Sequence, residues 1–252
     1  PYRKTMRPIL INNWEATYMK FKQSTLKKII RAAKDLKLEM FVLDDGWFGR
    51  RTDDFKGLGD YDVNKKKLPS GLKGISKYSN KHNLKFGLWF EPEMVNENSK
   101  LFETHPNWAI QDPLRPSSKG RHQLILDLTN KDVQDYIITN VNHILDTNNI
   151  EYVKWDMNRH FSDVNSSLYH GGEVLHRYII GLYRIFNEII LTHPNVYFEG
   201  CASGGNRFDL GILSYFDQIW TSDDTDAFER ISIQSGYALG YPLKCLSNHV
   251  SA

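Results

Sequence analysis

Short apolar runs alternate along this chain with longer stretches in which apolar residues recur every three or four positions. The runs fall at 8–12, 40–43, 85–90, 152–155, 196–199, 218–221 and 244–247, and several are apolar throughout rather than alternating. That pattern predicts strands buried on both faces, as in a parallel sheet. The longer stretches, at 24–36, 71–82, 131–147, 174–192 and 227–239, predict amphipathic helices. Ser24 is expected to cap the first, ahead of Leu26, Ile29, Ile30 and Ala33. Thr129 and Asp132 form a capping-box pattern ahead of Val133, Tyr136, Ile137 and Val141.

Strand, helix, strand, repeated, predicts an α/β fold with helices covering a parallel sheet. The sheet can stay open and doubly wound or close as a barrel. No glycine-rich phosphate fingerprint follows the first strand, seven strands nearly complete a set of eight, and polar and aromatic residues gather at the C-terminal ends of the strands. These features favour a (β/α)8 TIM-type barrel, which places its chemistry at that end. No eighth strand is legible, so the barrel is expected to be truncated before it, with the strand lying beyond Ala252. Residues 1–252 read as one catalytic domain, and 111–120, with two Pro and two Ser, as a loop within it. The chain begins at Pro1 without a Met and is expected to be a piece of a longer protein.

Composition narrows the partners. The formal net charge is +2 and the basic residues are scattered, which gives no reason to expect nucleic acid or an anionic membrane. No apolar run approaches a membrane span, and no signal-peptide core follows Pro1-Tyr2-Arg3-Lys4. Two cysteines, Cys201 and Cys245, make neither a zinc spacing nor a disulfide framework, and suit a reducing compartment. Six Trp and thirteen Tyr suit a site that grips sugar rings, although an aromatic core explains them as well.

The strand ends carry the chemistry. In order they present Asn13-Trp14-Glu15, Asp44-Asp45-Gly46-Trp47, Trp89-Phe90-Glu91-Pro92-Glu93, Lys154-Trp155-Asp156-Met157-Asn158, Glu199-Gly200-Cys201, Ser222-Asp223-Asp224-Thr225-Asp226 and Asn248-His249. One carboxylate after a strand is often a helix cap. So many converging on one mouth repel unless they serve a ligand, a metal or a shared proton. With no His-x-His or HExxH, a resident metal is not expected. A nucleophile elbow and a phosphate loop are also missing from the sequence. Paired carboxylates with aromatic support fit glycoside hydrolysis, in which one protonates the leaving oxygen and the other is nucleophile or base. Asp156 is the better nucleophile candidate, because Lys154, two residues earlier on the same strand, would keep it ionised. The acid is expected in the 222–226 loop, where the residues alone leave Asp223, Asp224 and Asp226 open.

Five segments, ILINNW (9–14), LDDGW (43–47), WFEPEM (89–94), KWDMNR (154–159) and WTSDDTDA (220–227), resemble the α-galactosidases of glycoside hydrolase family thirty-six. The resemblance covers essentially the whole chain. It implies a retaining mechanism through a covalent galactosyl-enzyme, on a (β/α)8 barrel, with no cofactor or metal. It implies Asp156 as nucleophile and Asp224, immediately before Thr225, as acid/base, with Asp226 as the position to test against it. Asp44 and Asp45 would bind galactose O4 and O6. Trp89 would line the ring pocket, Lys154 and Asn158 would hold hydroxyls near the anomeric carbon, and Arg121, ahead of LILDL (124–128), would reach the same mouth. Cys201 and Gly204 would sit near O2, although GCASGGNRFD (200–209) departs from the SCSGGGGRFD common in the family. The resemblance further implies α-galactoside oligosaccharides of the melibiose and raffinose type as substrates, with galactosyl transfer to a sugar or a fragment that only binds sugar as alternatives. It implies a β-sandwich domain before the barrel, a small β domain after it, a tetrameric parent and a bacterial cytoplasmic location.

Overall fold

The computed structural model describes residues 6–250 except Pro113. Pro1-Tyr2-Arg3-Lys4, part of the loop expected at 111–120, and the boundary expected at Ala252 therefore lie outside the described residues. Nine strands are described. Seven form one parallel sheet in the order β1 (Leu10–Asn12), β2 (Met40–Leu43), β3 (Lys85–Phe90), β6 (Tyr152–Trp155), β7 (Tyr197–Gly200), β8 (Gln218–Trp220) and β9 (Leu246–Ser247). The remaining two, β4 (Met94–Val95) and β5 (Leu124–Ile125), form a small antiparallel pair above the sheet's C-terminal end. Every pairing in the large sheet joins parallel neighbours, with Leu43 opposite Leu88, Trp89 opposite Lys154 and Trp155 opposite Gly200. The register brings the residues that end β2, β3, β6 and β7 to one level.

Seven helices accompany the strands: α1 (Trp14–Thr17), α2 (Gln23–Asp35), α3 (Gly71–Lys81), α4 (Lys100–Thr104), α5 (Lys131–Thr147), α6 (Gly172–Thr192) and α7 (Ala227–Ala238). Leu26, Ile30 and Ala33 of α2, Leu72 and Ile75 of α3, Val133 and Ile137 of α5, and Leu182, Ile185 and Ile189 of α6 pack on one face of the sheet in a single core. Met40, Val42, Tyr152 and Tyr197 pack on the other face, with Leu10 against them. Both faces of β2 and β6 are thus covered, which is why these strands read as apolar runs. The inner face also holds polar groups. Gln218 Nε2 and Ser247 Oγ both donate to Glu199 Oε2, the latter at 2.7 Å.

The boundaries at 40–43, 85–90 and 152–155 are observed as expected. The first strand starts two residues late, since Pro8 has no N–H to give a ladder. The last is only two residues long, because a 3₁₀ turn at Leu243–Cys245 follows Pro242. Both expected caps are corrected. Helix α2 begins at Gln23, so Ser24 lies inside its first turn and no side chain caps it. At α5 the cap is Asn130, which accepts from the Asp132 N–H at 2.9 Å, while Thr129 turns back to donate to Asp127 Oδ1.

A closed eight-stranded ring is not seen among the described residues; what is present is a parallel sheet of seven strands running from β1 at one edge to β9 at the other. Helix α7 leaves Phe228, Ile231 and, just past its end, Leu239 exposed, and Arg230 is its one buried residue. Among the described residues, no helix is long and apolar enough to cross a membrane.

Candidate active site

Asp156 follows the last residue of β6 and is buried. Its Oδ2 accepts from Asn158 Nδ2 at 2.8 Å and from Trp89 Nε1 at 3.2 Å, and its Oδ1 accepts from the Met157 N–H at 2.9 Å. The Cys201 thiol donates to it as well. Burial alone would push the Asp156 carboxyl up, but Lys154 and the bonds from Cys201, Asn158 and Trp89 together outweigh it and hold Asp156 below the usual aspartate range. A hydrogen-bonded carboxylate held toward its charged form at a strand end has the character that covalent catalysis requires of a nucleophile.

Lys154 reaches from the same strand to Asp44, with Nζ 3.3 Å from Oδ2. Burial would lower its ammonium, yet Asp44, then Cys201 and Asp156, raise it well above the ordinary lysine value. Asp44 Oδ2 also accepts from Asn12 Nδ2 at 2.6 Å, and its Oδ1 takes the Asp45 N–H at 2.8 Å. The expected residues thereby form two bonded groups, Asp44 with Lys154 and Asp156 with Trp89, Asn158 and Cys201, and the charge of Lys154 acts on both.

Asp45 points elsewhere. Arg51 grips it with Nε at 3.0 Å and Nη2 at 2.8 Å, and both side chains are buried. Burial raises the Asp45 carboxyl more than Arg51 lowers it. Arg121 joins from the rim, with Nη2 3.8 Å from Asp54, which also stands 3.4 Å from Arg51. Its backbone is left-handed at φ 51, as is that of His122 at φ 62.

The loop expected to supply the acid holds its three aspartates by different donors. Within the 222–226 loop, Asp226 caps α7 by accepting from the Phe228 and Glu229 N–H groups. Asp224 Oδ1 accepts from the Asp226 N–H at 3.0 Å and so closes the turn into that helix. Asp223, exposed like Asp224, bonds back toward its own strand. Its Oδ1 accepts from Trp220 Nε1 at 2.9 Å, and the face of that same ring lies 5.5 Å from Lys154 Nζ. Asp223 is also the loop carboxylate that acts electrostatically on Cys201, the thiol bonded to Asp156. Each of the three aspartates has its own donor.

Gly204 explains how the two loops meet. At φ +86, a Cβ there would sit 2.8 Å from Ser222 Cα and 2.9 Å from Asp223 N. The close backbone approach seats Asp223 against the loop that carries Cys201 and Ser203. Gly204→Ala is expected to push the 222–226 loop away and lower kcat of the whole protein by about 10- to 100-fold, as an ångström-scale misplacement does. The fold should lose only about 1–2 kcal/mol from the left-handed backbone. Paired kcat and urea-midpoint measurements check this, and unchanged kcat would mean that the contact does not position the loop.

Four groups on which the site rests had no assigned role in the sequence: Asn12, Arg51, Glu93 and Arg207. Glu93 is fully buried and accepts from Trp155 Nε1 at 2.8 Å, Tyr178 Oη at 2.7 Å and Arg207 Nη1 at 2.8 Å. It ties the residue before Asp156 to the loop after β7. The signal was there in WFEPEM, whose second carboxylate follows a strand, but its partners come from distant segments.

The chain resembles known proteins along its full length. It is 51% identical over 254 residues to alpha-galactosidase AgaA of Geobacillus stearothermophilus, covering all of this chain and 35% of that protein. It is 48% identical to alpha-galactosidase Mel36A of Lactobacillus acidophilus, covering 99% of this chain and 35% of the relative. The crystal structure of a Geobacillus AgaA variant in complex with raffinose superposes with a TM-score of 0.95, over 98% of this chain and 35% of the other. The chain thus spans about a third of the length of these relatives. The family model for melibiase matches residues 1–252, and the chain belongs to that family.

Proposed function

We propose that the whole protein is a retaining α-galactosidase that releases terminal α-linked galactose from melibiose- and raffinose-type oligosaccharides without a cofactor. One observation carries the reading: Asp156 is buried and held by four donors, with the charge of Lys154 acting on it, at the mouth of a sheet that matches α-galactosidases. The raffinose complex of the AgaA variant supports the substrate class. In the first step an Asp156 oxygen attacks the anomeric carbon as its bond to the leaving oxygen breaks, and a protonated carboxyl of the 222–226 loop gives that oxygen its proton. In the second, the resulting carboxylate takes a proton from water, which displaces Asp156 and frees galactose with its α configuration. The resemblance assigns the acid to Asp224; the bonding around Trp220, Cys201 and Gly204 supports Asp223.

Asp44 and Lys154 would bind galactose hydroxyls, as would Asn158, Arg121 and the Cys201–Gly204 turn, while Trp89 backs the ring. Asp45 is proposed to share a hydroxyl with Asp44 on the oxygen edge that Arg51 leaves open. The whole protein is proposed to close the sheet as a (β/α)8 barrel, flanked by a β-sandwich and a small β domain, in a tetramer; the uncovered apolar side chains of α7 suit such partners. A bacterial cytoplasmic setting is supported by the Geobacillus and Lactobacillus relatives and by two unpaired cysteines.

The test is proton NMR of the whole protein turning over raffinose. Free α-galactose is expected as the first product, before mutarotation. β-Galactose first, or no turnover, would overturn the reading, and products longer than raffinose would show transfer to sugar in place of water.

A further inference from the structure

The end of β3 and the turn after it carry two buried carboxylates in different company. Glu93 has the guanidinium of Arg207 at 2.8 Å. Glu91 is fully buried, and among the described residues no Lys, Arg or His stands within ion-pair distance of it. Its oxygens meet amides only. The Asn158 N–H donates to Oε1 at 2.5 Å and Gln123 Nε2 donates to Oε2 at 3.1 Å. The charges that act on it are Asp156 and Asp45, which oppose a second negative charge, and Arg51 and Arg121, which favour one without an ion pair to it. Arg51 is already committed to Asp45.

Asn158 is the link to the chemistry. Its backbone N–H rests on Glu91, its Nδ2 donates to Asp156 Oδ2 at 2.8 Å, and its Oδ1 accepts from Ser203 Oγ at 3.0 Å. Whatever fixes the backbone of Asn158 therefore fixes the angle at which Asp156 presents its oxygens. A charged Glu91 would work against the same purpose, because a carboxylate beside Asp156 favours protonation of the nucleophile. A neutral acid there keeps the acceptor and removes the repulsion. The Gln123 amide can face it with either end, and its oxygen end would accept the acid proton.

We propose that Glu91 is a positioning residue for the Asp156 carboxylate, acting through the backbone of Asn158, and that it does so as a neutral acid. The positioning half rests on the reading of Asp156 as the nucleophile. Burial, then Asp156, push the Glu91 carboxyl well above the usual glutamate range, which agrees with this geometry.

Two substitutions in the whole protein separate the halves. Glu91→Gln keeps the shape, the neutrality and an acceptor for Asn158. It is expected to fold, to hold kcat within about threefold, and to leave the acid limb of the kcat/KM profile where it was. The infrared band of a protonated carboxyl, read at neutral pH as wild type minus variant, is expected to disappear. Glu91→Ala removes the acceptor and is expected to lower kcat by about 10- to 100-fold with KM nearly unchanged, since alignment and not sugar binding is lost. Glu91→Leu, which fills the space without an acceptor, serves where the alanine variant does not fold.

An acid limb that moves to lower pH in Glu91→Gln, an infrared difference without the band, or a glutamine variant that cannot fold would overturn the neutral acid. Wild-type kcat in Glu91→Ala or Glu91→Leu would overturn the positioning. Failure of the wild type to turn over any α-galactoside would instead sink the proposed activity, and the infrared reading would still decide the state of Glu91.

Discussion

Asp156→Ala is expected to lower kcat of the whole protein on a nitrophenyl α-galactoside by on the order of 10⁴- to 10⁶-fold, the scale of losing a covalent nucleophile. The loss should fall on kcat and kcat/KM alike, because the bond from Asp156 to the anomeric carbon exists only beyond the ground state. The cavity left by the carboxylate would remain lined by Trp89 Nε1, Asn158 Nδ2 and the Met157 N–H. These donors suit a small anion. Azide is therefore expected to restore turnover in the alanine variant and to give the β-galactosyl azide, since it attacks the face that Asp156 vacates. An α-azide, or activity within tenfold of wild type, would remove Asp156 from the nucleophile role.

The pH profile offers a second handle on the same residue. Asp156 is held below the usual aspartate range by Lys154, with Cys201, Asn158 and Trp89 adding hydrogen bonds to the charged form. Its activity as a base-form nucleophile is present above that depressed value and is lost as the pH falls through it. No acid limb belonging to Asp156 is expected in the weakly acidic range where an ordinary carboxylate begins to protonate. Lys154→Met should bring the limb upward, toward neutrality, by removing the largest of the stabilising influences.

The sheet was legible because burial on both faces leaves a simple trace. MFVL, KFGLWF and YVKW are short apolar runs between polar loops, and β2, β3 and β6 begin and end where those runs do. The pair β4 and β5 left no such trace, being two residues long on each side and set by contact across a segment that includes α4. Asp44, Lys154, Asp156 and Asn158 were legible for a related reason. A parallel barrel-type sheet sends strand ends to one level, so residues that end different strands become neighbours whatever their separation in sequence. What escaped was the support: Arg51, six residues beyond Asp45, sits in a loop whose path no periodicity reveals. Glu93 and Arg207 are 114 residues apart and meet only because the loop after β7 folds over the end of β3. Adjacent residues in a turn pose the hardest case, since one step along the chain reverses the direction of a side chain. Motif position favours Asp224 in the 222–226 loop, where its Oδ1 accepts from the Asp226 N–H while Asp223 accepts from Trp220.

That choice has a decisive outcome. Asp223→Asn is expected to lower kcat/KM on raffinose by on the order of 10³- to 10⁴-fold, the range in which general acid–base help approaches its upper limit. Raffinose leaves through a sugar hydroxyl that cannot depart without a proton. A dinitrophenyl galactoside leaves as a stable phenolate, so its first step should be slowed far less, with the galactosyl-enzyme accumulating as a burst because water now lacks a base. Azide should then speed the second step and give the α-galactosyl azide, the opposite anomer to that from Asp156→Ala. Asp224→Asn keeps an oxygen that can accept from the Asp226 N–H, and is expected to stay within about tenfold of wild type on both substrates. If the large, leaving-group-dependent loss and the α-azide belong to Asp224→Asn instead, the loop must turn over when sugar binds, bringing Asp224 inward and breaking its bond to Asp226. The bond from Trp220 Nε1 to Asp223 would then hold only the unliganded loop.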